Sequence, residues 1–227
     1  MGDNTISWIP LSFLYVLVGE AAPMSADHYF SADPGSELRP RRIPVTLAGR
    51  EFELTTAGGV FSPDHLDWGT SVLLSHVPPP PPGGDLLDLG CGWGPIGLSL
   101  ALESPRATVW AVDVNERALD LTRRNASELS LDNVNAVHPS DVPEDISFRV
   151  IWSNPPIRVG KAELHSILTT WLPRLAPGGD AWLVVQKNLG SDSLQRWLEA
   201  TLTDEFTVTR EATNRGFRVL RVRRKGA

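Results

Sequence analysis

One cysteine is all that this chain of 227 residues contains. Cys91 alone cannot close a disulfide within the chain or furnish a multi-cysteine zinc site. Such scarcity fits a reducing cytoplasm. Histidines are few as well. His28, His65, His76, His138 and His165 lie without ligand spacing, so no metal is expected. No apolar run is long enough to span a bilayer. The longest, from Trp8 to Gly19, falls well short of the roughly 20 residues a membrane helix needs. It has no basic region ahead of it, so it makes a poor signal peptide. Residues 1–24 read as a leader or a mis-assigned start, with Met24 the more natural beginning. The competing reading is a membrane-touching leader. Net positive charge is also missing: 21 Lys and Arg against 27 Asp and Glu give −6. There is no global field to draw nucleic acid, so any basic footprint must be local.

Two local footprints exist. Arg39, Arg41 and Arg42 form one; Arg215, Arg218, Arg221, Arg223, Arg224 and Lys225 form the other. Each reads equally as a solvated strand edge. Length and a composition of 41% hydrophobic and 21% charged residues suit one α/β domain with a sizeable core. Residues 25–77 read as a β-hairpin (Ile43–Leu47 and Glu51–Leu54, turning at Gly49-Arg50) and a helix from Leu66 to Val77 capped by Asp64. Pro78–Gly84 is a breaker that opens the core, 78–227. From there strands at 85–89, 108–112, 134–138, 148–153 and 180–186 alternate with helices at 95–103, 116–129, 161–175 and 191–202. Strands at 205–211 and 216–223 follow as a hairpin. The expected fold is a seven-stranded, mostly parallel Rossmann-like sheet with helices on both faces and an antiparallel C-terminal strand.

Two segments carry chemistry. In Asp85-Leu-Leu-Asp-Leu-Gly-Cys-Gly-Trp-Gly94, a strand runs into a glycine loop and Pro95 opens a helix. Gly90, Gly92 and Gly94 let the backbone approach a ligand bare of side chains, with helix amides facing it. Gly92-x-Gly94-x-x-Gly97, with Asp113 about twenty residues on, also matches a dinucleotide fingerprint. Asp88 argues against that competitor, because a carboxylate there repels a pyrophosphate and attracts an ammonium or sulfonium. Asp113 can accept from ribose hydroxyls or cap the next helix. Asp141 can accept from an adenine amine or cap.

The second segment is Ile151-Trp-Ser-Asn-Pro-Pro-Ile157. Pro155 and Pro156 stiffen the chain and hold Asn154 extended. The Asn154 side-chain oxygen and the proline carbonyls are acceptors at a strand end. They can hold an –NH₂ group and draw its hydrogens away from the ring, freeing the nitrogen lone pair for attack on a methyl group. A donor that already carries positive sulfur needs no metal; positioning and fixed polarity do the work.

Together these segments resemble the class I S-adenosylmethionine-dependent methyltransferases that act on amino groups. The resemblance spans residues 25–223 and is nearest the small-domain family that includes 16S ribosomal RNA guanine-N2 methyltransferases. It also rests on His28-Tyr-Phe-Ser, Gly59-Val-Phe-Ser, Leu66-Asp67-Trp-Gly69, Gly160-Lys161 and Val184-Val-Gln186. It implies donor contacts at Phe61, Asp88, Gly90, Gly92, Gly94, Asp113, Asn115, Asp141 and Asn154. It implies that Asn154, Pro155 and Pro156 form the catalytic acceptors. Ile157, Arg158, Lys161 and Gln186 border the substrate, Arg158 and Lys161 either on RNA phosphates or as solvated loop charges. The family's usual aromatic after the prolines is Ile157 here, which packs on a base without stacking. Implied partners are ribosomal RNA or the small ribosomal subunit, in the cytoplasm, without stable membrane association. Many relatives carry two tandem copies of the domain; this chain has room for one. Competing readings are glutamine methylation in a protein, where Tyr usually follows the prolines, and an inactive donor-binding module.

Overall fold

The computed structural model describes residues 39–226. The leader and His28-Tyr-Phe-Ser lie outside them. A hairpin comes first, β1 (Arg41–Leu47) against β2 (Arg50–Thr56). Its turn is Ala48-Gly49, not Gly49-Arg50; both residues have positive φ, the two-residue turn whose twist matches paired strands. Helix α1 is Trp68–Leu74, shorter than the 66–77 reading, and its cap is Asp67, whose carboxylate accepts from the Gly69 and Thr70 amides. Asp64 pairs with Arg41 instead.

The main sheet follows: β3 (Gly83–Leu89), α2 (Pro95–Glu103), β4 (Arg106–Val112), α3 (Glu116–Glu128), β5 (Val134–Val137), β6 (Phe148–Ser153), α4 (Lys161–Trp171), β7 (Leu175–Gln186), α5 (Ser191–Thr201), β8 (Phe206–Asn214) and β9 (Phe217–Arg224). Helix α4 ends at Trp171 because Pro173 sits in the next turn, and β7 starts at Leu175, earlier than its apolar run suggests. Strand order is β5-β4-β3-β6-β7-β9-β8. Only β9 runs against the rest. The β8–β9 turn is Arg215-Gly216, again both at positive φ, so β8 extends through the residues read as a loop.

Alternation along β3 sends Leu86 to one face and Leu87 to the other. Leu86 packs with Val72 and Leu73 of α1 and Ile96 and Leu100 of α2. Leu87 packs with Leu164 and Leu168 of α4 and Leu194 and Leu198 of α5. Each such fully buried leucine stabilises by about 1.5–3 kcal/mol relative to exposure. Helix α2 is buried all round from Pro95 to Ala101. A helix like that needs a roof. The hairpin provides it, laying Ile43, Val45 and Leu47 over Leu98 of α2 and Ala118 and Leu121 of α3. Asn125 fastens the roof: its oxygen accepts from the Thr55 amide at 2.8 Å, and its nitrogen donates to the carbonyls of Thr55 (2.9 Å) and Trp93 (3.0 Å).

Candidate active site

Strands β3 and β6 are neighbours, yet the chain leaves β3 toward β4 and β6 toward β7. Ligands bind beyond the carboxyl ends of strands where an α/β sheet divides in this way. The Ser153 hydroxyl donates to the Leu89 carbonyl at 2.6 Å and ties the two ends together. Above this floor is a cleft of about 230 Å³. A roomier groove between the hairpin and α1 holds none of the strand-end residues.

One wall is the glycine loop. Gly90 and Gly92, at φ +79° and +57°, line the cleft, and no side chain or backbone stands close to where a Cβ would project. Gly94 does not line it. Gly94 is glycine because a Cβ would press on Thr122 of α3 at 2.9 Å. Asp113, just past β4, does line the cleft. Its Oδ2 accepts from the Gly92 amide at 2.9 Å and its Oδ1 from the Asn115 amide at 3.0 Å. Burial pushes its carboxyl above the ordinary range, opposed by the amides of Asn115, Gly92 and Val114. The cap of α3 is Asn115, which accepts from Arg117 and Ala118 and donates to the Gly59 carbonyl at 2.9 Å. Asn115 is 1% exposed and works as a bracket in the wall.

Asp88 lies behind the loop, fully buried and outside the cleft lining. Its Oδ2 accepts from the Gly97 amide at 2.7 Å; its Oδ1 has no hydrogen-bond partner among the described residues. Burial pushes its pKa up to about 8 against the Gly97 hydrogen bond, with the Asp113 charge adding to the rise. The same burial holds the Cys91 thiol well above its usual value. Phe61, 43% exposed, lines the opposite lip. Its segment is held at Gly59 by Asn115 and at Ser62, whose carbonyl accepts from the Trp93 indole at 3.2 Å. Asp141 sits exposed on the turn after β5, beside Pro139 of the lining but not in it.

The other wall is Asn154-Pro155-Pro156-Ile157, all lining the cleft. The Asn154 Nδ2 donates to Asp67 Oδ2 at 2.8 Å and Thr70 Oγ1 at 3.1 Å. Neither residue was singled out as functional from sequence. Leu66-Asp67-Trp-Gly69 belongs to the family resemblance, but no local signal marks Asp67 rather than Asp64 as the cap of α1. Because the amide nitrogen is occupied, its planar partner Oδ1 is left as an acceptor on the other side. Gly69 packs so tightly that a Cβ would sit 2.8 Å from Asp67, 3.0 Å from the Phe217 ring and 3.2 Å from the Asn154 nitrogen. The Pro155 carbonyl already accepts from the Ile157 amide at 2.8 Å, leaving one lone pair, and the Pro156 carbonyl accepts from Val159 at 3.2 Å. Gln186 and Phe217 complete the lining, while Lys161 opens α4 exposed and outside it.

The basic footprints are largely consumed. Arg41 pairs with Asp64, Arg42 with Glu128, Arg218 with Asp192, Arg221 and Arg223 with Asp180, and Arg224 with Glu205. Arg215 lies instead over the Trp68 ring, 4.4 Å from its centroid. Among the described residues no group of three His, Cys, Asp or Glu could hold a metal, and no helix is long and apolar enough to cross a membrane.

A sheet divided at β3 and β6, with a bare glycine wall facing an aimed amide, defines a class I methyltransferase that uses S-adenosylmethionine. The chain belongs to the methyltransferase small domain family, whose model matches residues 51–221. It is 34% identical over 203 residues to the uncharacterized protein YbxB of Bacillus subtilis, covering 88% of this chain and 99% of that one. It is 38% identical over 135 residues to ribosomal RNA small subunit methyltransferase C of Aeromonas hydrophila, covering 59% of this chain and 38% of that one. In fold it resembles a T. thermophilus 16S rRNA N2 methyltransferase solved with AdoMet and guanosine: TM-score 0.70, 24% identity, 84% of this chain and 52% of that one. The chain thus spans well under half of the Aeromonas enzyme and about half of the T. thermophilus one. The dinucleotide reading gives way to these matches. In this chain Gly97 brings α2 close to β3 and β4: a Cβ there would lie 3.2 Å from Asp88 and 3.3 Å from Ala111.

Proposed function

We propose that the protein methylates the exocyclic N2 amine of guanine in ribosomal RNA. The observation that carries this reading is the Asn154 amide, fixed through its nitrogen so that its oxygen is presented as an acceptor. The residues around the cleft fit the donor. Gly90 and Gly92 give it an unobstructed wall, Asp113 keeps acceptor capacity for ribose hydroxyls beyond the amides it meets, and Phe61 closes over it. Asp88 shapes the loop from behind. Asp141 stands at the rim where an adenine amine emerges.

When bound, S-adenosylmethionine supplies an electrophilic methyl group on positive sulfur. Asn154 Oδ1 and the remaining lone pair of the Pro155 carbonyl accept the two amine hydrogens. Accepting them weakens conjugation of the nitrogen with the ring and turns its lone pair toward the donor. As the N–C bond forms, the methyl–sulfur pair stays on sulfur as a neutral thioether, and one of the two held amine protons leaves to solvent. Most of the gain comes from holding the amine in line and from acceptors already oriented before reaction. Ile157 packs one side of the guanine, and Gln186 and Phe217 border the other. The partner is ribosomal RNA or the small ribosomal subunit, as the names of the relatives support.

The test is tritiated methyl transfer to separated ribosomal subunits, naked ribosomal RNA and protein extract, followed by nucleoside analysis. Label in N2-methylguanosine is expected. Label confined to protein overturns the reading in favour of glutamine methylation.

A further inference from the structure

We infer that Trp68 and Arg215 form a stacking subsite for the nucleobase next to the target in single-stranded RNA; this rests on the reading that the target is RNA. Trp68 is 54% exposed, more than any other large hydrophobic side chain among the described residues. The others, Phe61, Val114 and Leu189, all line the cleft. Trp68 stands outside the cleft but next to Asp67, whose carboxylate holds Asn154.

Arg215 supplies a second observation. Its guanidinium lies 4.4 Å from the Trp68 ring centroid. It occupies the first position of a two-residue turn at φ +47°, where Asn, Asp or Gly is favoured. On the same hairpin Arg210, Arg218, Arg221, Arg223 and Arg224 each pair with a carboxylate; among the described residues Arg215 makes no salt bridge. The turn is pinned to the end of β7, since the Lys187 amide donates to the Gly216 carbonyl at 2.7 Å, and Phe217 two residues on lines the cleft. The pair is therefore fixed relative to Asn154.

The chemistry of the target explains why such a ledge is needed. A guanine amine reaches the cleft only when the base leaves its stack. Its neighbour then loses a stacking partner. Indole and guanidinium planes replace one well, and the guanidinium edge can meet the adjoining phosphate. In a chain of net charge −6, a cation with no carboxylate partner among the described residues complements a polyanion at this place.

The test uses a short single-stranded oligoribonucleotide with 2-aminopurine beside a guanine, titrated with protein in S-adenosylhomocysteine. Stacking of this size corresponds to about tenfold in affinity. Quenched fluorescence is expected for wild type; Trp68→Ala and Arg215→Ala should lose the quench and about that tenfold in affinity, with Trp68→Phe close to wild type. An oligonucleotide abasic at the neighbour should bind wild type and Trp68→Ala alike. The inference is overturned if Trp68→Ala binds the intact oligonucleotide like wild type, or loses as much on the abasic one. Wild-type methyl transfer to RNA, measured in parallel, tells this failure apart from failure of the RNA reading.

Discussion

Asp67 and Asn154, 87 positions apart, share a 2.8 Å hydrogen bond between a carboxylate oxygen and an amide nitrogen. A carboxylate in its ionised form only accepts, so this bond decides which end of the amide faces the cleft. The cap of α1 and the aim of the acceptor are one residue. Replacing Asp67 with Asn separates the two roles, because Asn caps as well but can donate as well as accept. Asp67→Asn should keep its melting temperature and donor affinity while kcat falls, by up to about 100-fold for a misplaced acceptor. Unchanged kcat would remove Asp67 from the positioning network.

Asn154→Ala should lose about 10²–10³ in kcat, the scale for deleting one oriented polar group at a reacting centre. Calorimetric affinity for S-adenosylhomocysteine should hold. A variant that turned over normally would refute the proposed chemistry.

Gly69→Ala tests the packing beneath that amide. The new methyl meets Asp67 at 2.8 Å and Phe217 at 3.0 Å. Overpacking of this kind costs about 1–3 kcal/mol. Thermal melting should drop by about 2–4 °C for each kcal/mol in a chain of this size. Activity should fall further than melting alone explains, since Asn154 must shift.

Asp113→Ala should weaken donor binding by about 1.5–3 kcal/mol, the scale for hydrogen bonds to a charged group. It also releases the Gly92 amide. Titration calorimetry showing equal affinity would take Asp113 out of the donor site.

Asp88 makes stability depend on pH. Its pKa of about 8 in the folded protein lies far above the roughly 3.9 of an unfolded chain. Between those values the folded state keeps a proton that the unfolded state releases. The contribution is therefore fully present below about pH 4, is lost as pH rises toward 8, and is level beyond. Asp88→Asn does not titrate, so wild type should lose melting temperature relative to it from pH 5 to 8. A constant difference across that range would show that Asp88 is ionised throughout.

The strand–helix alternation was legible because the central parallel strands β3 and β6 are buried on both faces along most of their length and read as largely apolar runs. Boundaries were less so. Nothing local distinguishes Asp64 from Asp67 as a cap; the choice is made by Arg41, which takes Asp64, and Asn154, which takes Asp67. Likewise the C-terminal arginines read as one basic patch until the sheet brings Asp180, Asp192 and Glu205 beside them. Asn115 lines the cleft and also caps α3, a double placement that its neighbourhood in sequence does not reveal. Asn154 could be read from sequence; what aims it could not, because its partners come from the far side of the chain.

The Ser153–Leu89 bond rivets the sheet at the place where its two halves diverge. A crevice joined at its root does not yawn open like a hinged jaw. Adaptation to a new substrate then falls to the parapet, the Arg215-Gly216 turn and the start of α1, while the masonry below stays as it is. Exchanging the Arg215-Gly216 turn and Trp68 between relatives, with Asp67 and Gly69 kept, should shift substrate preference without altering donor affinity.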